Sequence, residues 1–297
     1  MPLTLAFPAP AAPMSDVPGL AVLARIAEET DLDDGVRIAG ELVPVPSGHG
    51  RLVTTALADA LHARYFRGDG PGPSAPKVRG EDRTVGAESP VAGRRGYDFC
   101  RRLADTLRPD LFRRAGWRFT YRISAGSPSF VVTLGSAARD TASCFLHLQP
   151  GTAPEVFARL VTALDGYGLD FRAELAGDPA GCIRTDTAVV TVDRSAASAL
   201  ARLALRMQQR APFALAPSVP AFTRQLAPGV ALADEPGPDS PFGRHRCRLV
   251  AAGLVAAGHG AGPAARRAAV LRTLTAAGLD PVALHLNPGS RDVDLRR

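Results

Sequence analysis

Between Phe145 and Val192 the chain reads FLHLQPGTAPEVFARLVTALDGYGLDFRAELAGDPAGCIRTDTAVVTV, and its punctuation allows little besides a strand, a helix and two further strands. Pro150 and Gly151 stop the first apolar run, because proline cannot donate to a ladder and glycine frees the backbone to turn. Thr152, followed three residues later by Glu155, has the form of a capping box, and Val156, Phe157, Leu160, Val161 and Leu164 recur behind it at helical spacing. Gly166 and Gly168 close that helix. Segments 170–175 and 187–192 then read as strands, the second with β-branched residues on both faces, which predicts a central position in a sheet. Strand alternation takes the His147 side chain away from the row of Cys144, Leu146 and Leu148, which is read as the core-facing one. It also puts Arg172 and Glu174 on a shared face, and Arg184 falls just before the last strand.

The remaining elements assemble around this unit. Leu20, Leu23 and Ile26 in segment 19–31, and Leu52, Leu57 and Leu61 in 51–66, mark two amphipathic helices. Residues 68–96, rich in Gly, Pro, Ser and charges, read as a long loop, with a short helix from Tyr97 to Leu107 after it. From Trp117 the apolar period drops to two, predicting a hairpin through residues 125–129 into a strand at Phe130–Leu134. A helix over 196–209 follows. The proline-rich stretch 211–241 is expected to be an ordered surface loop, since loops of that length inside a domain usually serve a site. Helices starting at FGRHRCRL and over 263–277, and a short strand VALHL, complete the chain. Sheet segments with helices grouped around them predict an α+β fold with a mixed or antiparallel twisted sheet. The expected division is an N-terminal helical region, 1–110, and an α+β domain, 111–297.

Composition excludes several functions. A 297-residue chain that is 46% hydrophobic can bury a sizeable core, yet its longest apolar run, Leu249–Ala257, is far short of a membrane span. The proline-rich N-terminus lacks a basic leading segment, so a cytoplasmic protein is expected. Cys100, Cys144, Cys182 and Cys247 have neither metal-ligand nor paired spacing. Walker, GxSxG and HExxH motifs are missing. The net charge of +6 is carried by arginine, Lys77 being the lone lysine among 35 basic residues. That charge suits a phosphate-bearing or acidic partner. With aromatics at 6%, nucleic acid is not expected.

His147 can shuttle a proton near neutral pH, although a half-buried sheet histidine needs no such role. Arg172 and Glu174 can equally be a same-face ion pair. Arg184, Arg244 and Arg246 flank loops and a helix N-terminus, where a guanidinium opposes the helix dipole unless an anion binds, so phosphate recognition and a solvated charged face both stand open.

Three blocks, Cys144–Val192, VPAFTRQLAPGVALADEPG at 219–237 and SPFGRHRCRLVAAGL at 240–254, resemble the HopA-type effector family, whose members recur as the lyase component of class V lanthipeptide and thioamitide biosynthesis. The FT-x-x-LAPGV-x-LA and FG-x-HRCRL strings carry the resemblance. That family is in turn similar to phosphothreonine lyases, so the resemblance implies a phosphothreonine-lyase-like core. It implies elimination of phosphate from phosphoserine or phosphothreonine in a precursor peptide, giving dehydroalanine or dehydrobutyrine. It further implies a separate peptide kinase and no metal or organic cofactor. Carried over by position, His147 matches the general acid, Arg184 the phosphate-binding arginine, and Arg246 with Arg244 the later basic group, while Arg224 falls where a basic residue is usual. Phe145 replaces a lysine that would contact phosphate. The family's lysine base falls at Arg172 or Glu174, and neither is a lysine. Because arginine keeps its proton, Arg172 makes a poor base, which leaves Glu174, Lys77 or a chain without activity that serves as a binding subunit.

Overall fold

The computed structural model describes residues 18–33, 35–45, 50–68, 94–107, 115–124, 127–135, 140–237 and 240–295. In chain order the elements are α1 (Pro18–Glu29), β1 (Thr30–Asp31), β2 (Arg37–Ile38), β3 (Glu41–Leu42), α2 (Gly50–Leu61) with a π-helical turn (His62–Phe66), and α3 (Arg94–Thr106). They continue as β4 (Arg118–Ser124), β5 (Ser127–Leu134), β6 (Thr141–Leu146), α4 (Ala153–Gly166), β7 (Phe171–Ala176), β8 (Ala188–Asp193) and α5 (Ala197–Arg210). The last four are β9 (Arg224–Ala227), β10 (Val230–Asp234), α6 (Phe242–Ala257) and α7 (Pro263–Ala276). The expected loop at 68–96 and Lys77 lie almost wholly, and in Lys77's case entirely, outside the described residues.

Among the described residues the main sheet has the order β4-β5-β7-β8-β6-β10-β9, every pairing antiparallel, with β8 at its centre as its β-branched sequence predicts. The architecture is α+β. Register divides the side chains cleanly. Cys144, Leu146, Ala173, Leu175, Val190 and Val192 point to one face, into a core built with α3, α4 and α5. Phe145, Ala231 and Ala233 point to the other, into a second core with residues of α1, α2, α6 and α7. The row expected to leave the core is therefore also covered: His147 is 8% exposed. Leu20, Leu23 and Ile26 near the N-terminus share this second core with Val250, Leu254 and Leu274.

Three expectations are corrected. The stretch 211–241 is not wholly surface loop, because it contains the β9–β10 hairpin and every residue of β10 is buried beside β6. Flanking prolines and small residues hide that strand from any periodicity. Gly229 makes its turn, with φ of 72° and an added Cβ that would lie 2.3 Å from the Ala216 carbonyl oxygen. Segment 282–286 forms no strand. The Leu284 and Leu286 carbonyls are taken instead by the guanidinium of Arg246, and that of His285 accepts from Asp234 N at 2.8 Å. Finally, Thr152 caps nothing with its side chain, and Glu155 accepts from Arg102 Nη2 at 2.7 and 2.8 Å. A bidentate charged pair across two helices outcompetes the local box.

Candidate active site

The π-helical turn is the hinge of the site. Arg67 N donates to His62 O at 2.9 Å, the i to i+5 bond that widens the last turn of α2. The widened turn exposes main-chain carbonyls, and distant segments fasten to them: Thr185 N donates to Arg67 O at 2.8 Å and Ala221 N to Tyr65 O at 3.2 Å. The loop before β8 and the loop before β9 are thereby docked on the end of α2. Phe66 packs edge-on against Phe145 at 5.6 Å, and its ring is tilted by 51° against Phe242 of α6 at 6.1 Å. Gly243 makes room for this contact, since a Cβ there would come within 2.5 Å of the Phe66 ring. Helix α6 is thus drawn down onto the turn.

His147 follows β6 directly, its amide bonded to Gly229 O at 3.0 Å. Its Nδ1 lies 3.0 Å from Ser218 Oγ and 3.2 Å from the Ser218 carbonyl oxygen, which fixes the ring. Burial lowers its pKa, opposed by the Ser218 and Ile183 carbonyls and by the charge of Asp186. A neutral imidazole results, at the foot of the loop carrying Arg184.

Arg184 is held by Asp186, with Nε 2.8 Å from Oδ1 and Nη2 2.7 Å from Oδ2. His62 belongs to the same cluster. Burial pushes its pKa down to about 3; Asp186 opposes this, and the charges of Arg244, Arg67 and Arg184 add to the depression. Arg244 in turn reaches Asp59 at 3.5 Å. A groove of about 160 Å³ between α2 and α6, lined by Thr55, Ala58, Asp59, Arg244 and Arg248, runs alongside. The charge of Asp186 thus acts on both His147 and His62, and the charges of Arg184, Arg67 and Arg244 act on His62, where α2, α6 and the β6 and β8 ends converge.

Of the residues singled out from sequence, the structure brings together His147, Arg184 and Arg244. Arg246 departs from its expected role. It is 1% exposed, donates to the carbonyls of Leu284 and Leu286 at 2.8 and 2.9 Å and lies 4.9 Å from the centre of the Phe242 ring. Its donors are spent holding the C-terminal segment. The N-terminus of α6 is likewise occupied, by the Glu235 carboxylate accepting from Phe242 N at 2.8 Å, so no external anion is called for there. Arg224 pairs in register with Leu232 and so lies on the other sheet face from His147; it donates to Asp292 at 2.6 Å and to Val293 O at 2.9 Å. Arg172 and Glu174 share a face as expected and bond at 3.0 Å, both about 40% exposed. That face is the one bearing His147, but Glu174 is level with Phe145 and two strands removed, about 10 Å across the sheet.

Sequence reasoning missed His62, Arg67, Asp186 and Ser218. Asp186 was readable as the i+2 partner of Arg184. The others have no local signal, since His62 meets Asp186 across 124 positions and Ser218 meets His147 across 71. Among the described residues no group of three or more His, Cys, Asp or Glu is placed to hold a metal. No helix among them is long and apolar enough to cross a membrane.

The effector protein from Pseudomonas syringae pv. tomato strain DC3000 has the same fold, with a TM-score of 0.56 at 14% identity over 92% of this chain and 98% of that one. The effector protein from Pseudomonas syringae pv. syringae strain 61 gives 0.49 at 12% identity, over 82% and 99%. No functionally curated protein matches. Residues 125–286, more than half of the chain, match the model of the HopA1 effector protein family, and the chain belongs to that family.

Proposed function

We propose that the protein is a lyase that eliminates phosphate from phosphoserine or phosphothreonine in a ribosomally made precursor peptide, leaving a dehydroamino acid, as in lanthipeptide and thioamitide biosynthesis. The observation that carries this reading is the juxtaposition of His147, its Nδ1 engaged by Ser218, with the Arg184–Asp186 pair and the nearby Arg67 and Arg244. Elimination needs cations to hold a phosphate dianion and an acid to protonate the bridging oxygen as it leaves. Guanidinium forks supply the first. His147 supplies the second once a bound dianion restores its affinity for a proton. The phosphate is put on by a separate cytoplasmic kinase, and the peptide is the partner that lies along the groove between α2 and α6.

The test is direct. Purified protein mixed with a phosphothreonine peptide is expected to produce a peptide lighter by the mass of phosphoric acid, with inorganic phosphate released in equal amount. An unchanged peptide in the presence of the active kinase and its product would refute the reading. One observation favours a second reading, a non-catalytic peptide- or kinase-binding subunit: Asp186 already occupies Arg184 in bidentate fashion. In that case His147→Ala leaves peptide modification unchanged, while charge reversal at Arg184 abolishes it.

A further inference from the structure

We propose that His62 is the base that removes the Cα proton in this elimination, in place of the lysine that the chain does not carry at the expected positions. The inference rests on the lyase reading above and deepens it.

Three observations single out His62. It opens the π-helical turn that docks the β8 loop, so the element that builds the phosphate site also sets the position of this ring. The ring is stacked on Phe66, centroids 5.0 Å apart and planes 17° from parallel, which fixes its orientation. Among the described residues neither ring nitrogen has a hydrogen-bond partner. His147 differs in having Nδ1 engaged by Ser218, and His245 in accepting from Arg246 at 2.7 Å. A base must present an unshared lone pair, and His62 has one to present. The alternatives within the described residues fare worse, because Glu174 is bonded to Arg172 and stands two strands from His147.

The electrostatics give the ring a reason to wait for substrate. In the empty site burial and the surrounding guanidiniums keep it unprotonated, with a pKa near 3. A phosphate dianion bound among Arg184, Arg67 and Arg244 cancels much of their field, so basicity rises when substrate is in place. The step then balances. The His62 lone pair takes the Cα proton, and the C–H electrons become the Cα–Cβ π bond. The Cβ–O bond breaks with its electrons on the bridging oxygen, and that oxygen takes a proton from the His147 imidazolium. Hydrogen phosphate leaves, and solvent returns the two histidines to their starting states.

The experiment compares wild type, His62→Gln and His147→Gln on one synthetic phosphothreonine peptide. It measures kcat by mass spectrometry, peptide affinity by calorimetry, the thermal midpoint, and wash-in of solvent deuterium at Cα. His62→Gln is expected to lower kcat by about 10²- to 10⁴-fold with affinity and midpoint preserved. Deuterium wash-in should persist in His147→Gln and vanish in His62→Gln. If wild type eliminates phosphate and His62→Gln does so at a similar rate, the assignment to His62 is overturned while the lyase reading stands. Loss of peptide affinity in His62→Gln would also overturn it, by making the residue a binding group. A wild type that binds the peptide without eliminating phosphate removes the lyase reading and this inference together.

Discussion

The guanidinium of Arg184 is clamped by the carboxylate of Asp186 two residues later, Nε and Nη2 lying 2.8 and 2.7 Å from its two oxygens. Side chains flank Thr185, whose amide is tied to the end of α2, so the pair is presented at the site by the fold. A carboxylate is a fair stand-in for one edge of a phosphate, and any phosphate bound here competes with it.

Asp186→Asn removes that competitor and one negative charge beside three guanidiniums. The expected outcome is a gain in affinity for inorganic phosphate of about tenfold, equivalent to about 1.4 kcal/mol, measured by calorimetry at fixed ionic strength. Unaltered affinity would mean that phosphate does not engage Arg184.

Arg246 is a structural residue, so Arg246→Met strands the carbonyls of Leu284 and Leu286 and loses the contact with Phe242. A fall in unfolding free energy of about 3 kcal/mol is expected in urea titrations, with phosphate affinity unchanged. Arg184→Ala should differ in weakening phosphate binding, and it should also lower stability because the largely buried Asp186 loses its bidentate partner.

Gly243→Ala places a methyl group within 2.5 Å of the Phe66 ring. Over-packing of this kind costs about 1–3 kcal/mol, and the displaced π-helical turn carries His62 with it. The thermal midpoint should drop, and turnover should fall by more than the loss of folded protein explains.

Acid should unfold the protein earlier than its carboxylates alone require. His62 has a folded pKa depressed to about 3, against an ordinary 6.5, so the unfolded chain binds the proton more readily over that whole interval. The stability that this group contributes is complete above pH 6.5 and is lost as pH falls, with a slope of up to about 1.4 kcal/mol per pH unit. His147, His245 and His285 are depressed by burial in the same direction. Glu235, raised by burial, opposes the trend just above the usual carboxylate range, where the folded chain holds that proton more readily than the unfolded one. Urea titrations at pH 7.5 and 5.5 should show the loss, and His62→Gln should flatten the slope by close to one proton.

Local pattern alone determined the helices and most strands. The stripe of Leu20, Leu23 and Ile26, the alternation from Trp117, and the β-branched run of β8 each state their own period, and each element stands where that period puts it. The α+β class follows from their order. Tertiary structure decided the rest. Whether Arg246 or Arg184 faces the site depends on which carbonyls and carboxylates the fold brings to each guanidinium, and these come from 38 positions away for Leu284 and 2 for Asp186. The capping box at Thr152 yielded to Arg102, 53 positions away from Glu155, because a bidentate ion pair is stronger than a neutral cap. His62 reads as any helix-end histidine until α6 and the β8 loop close around it. Hydrogen bonds and fields act through space at a few ångströms, and spatial neighbours this far apart along the chain leave no mark in its periodicity.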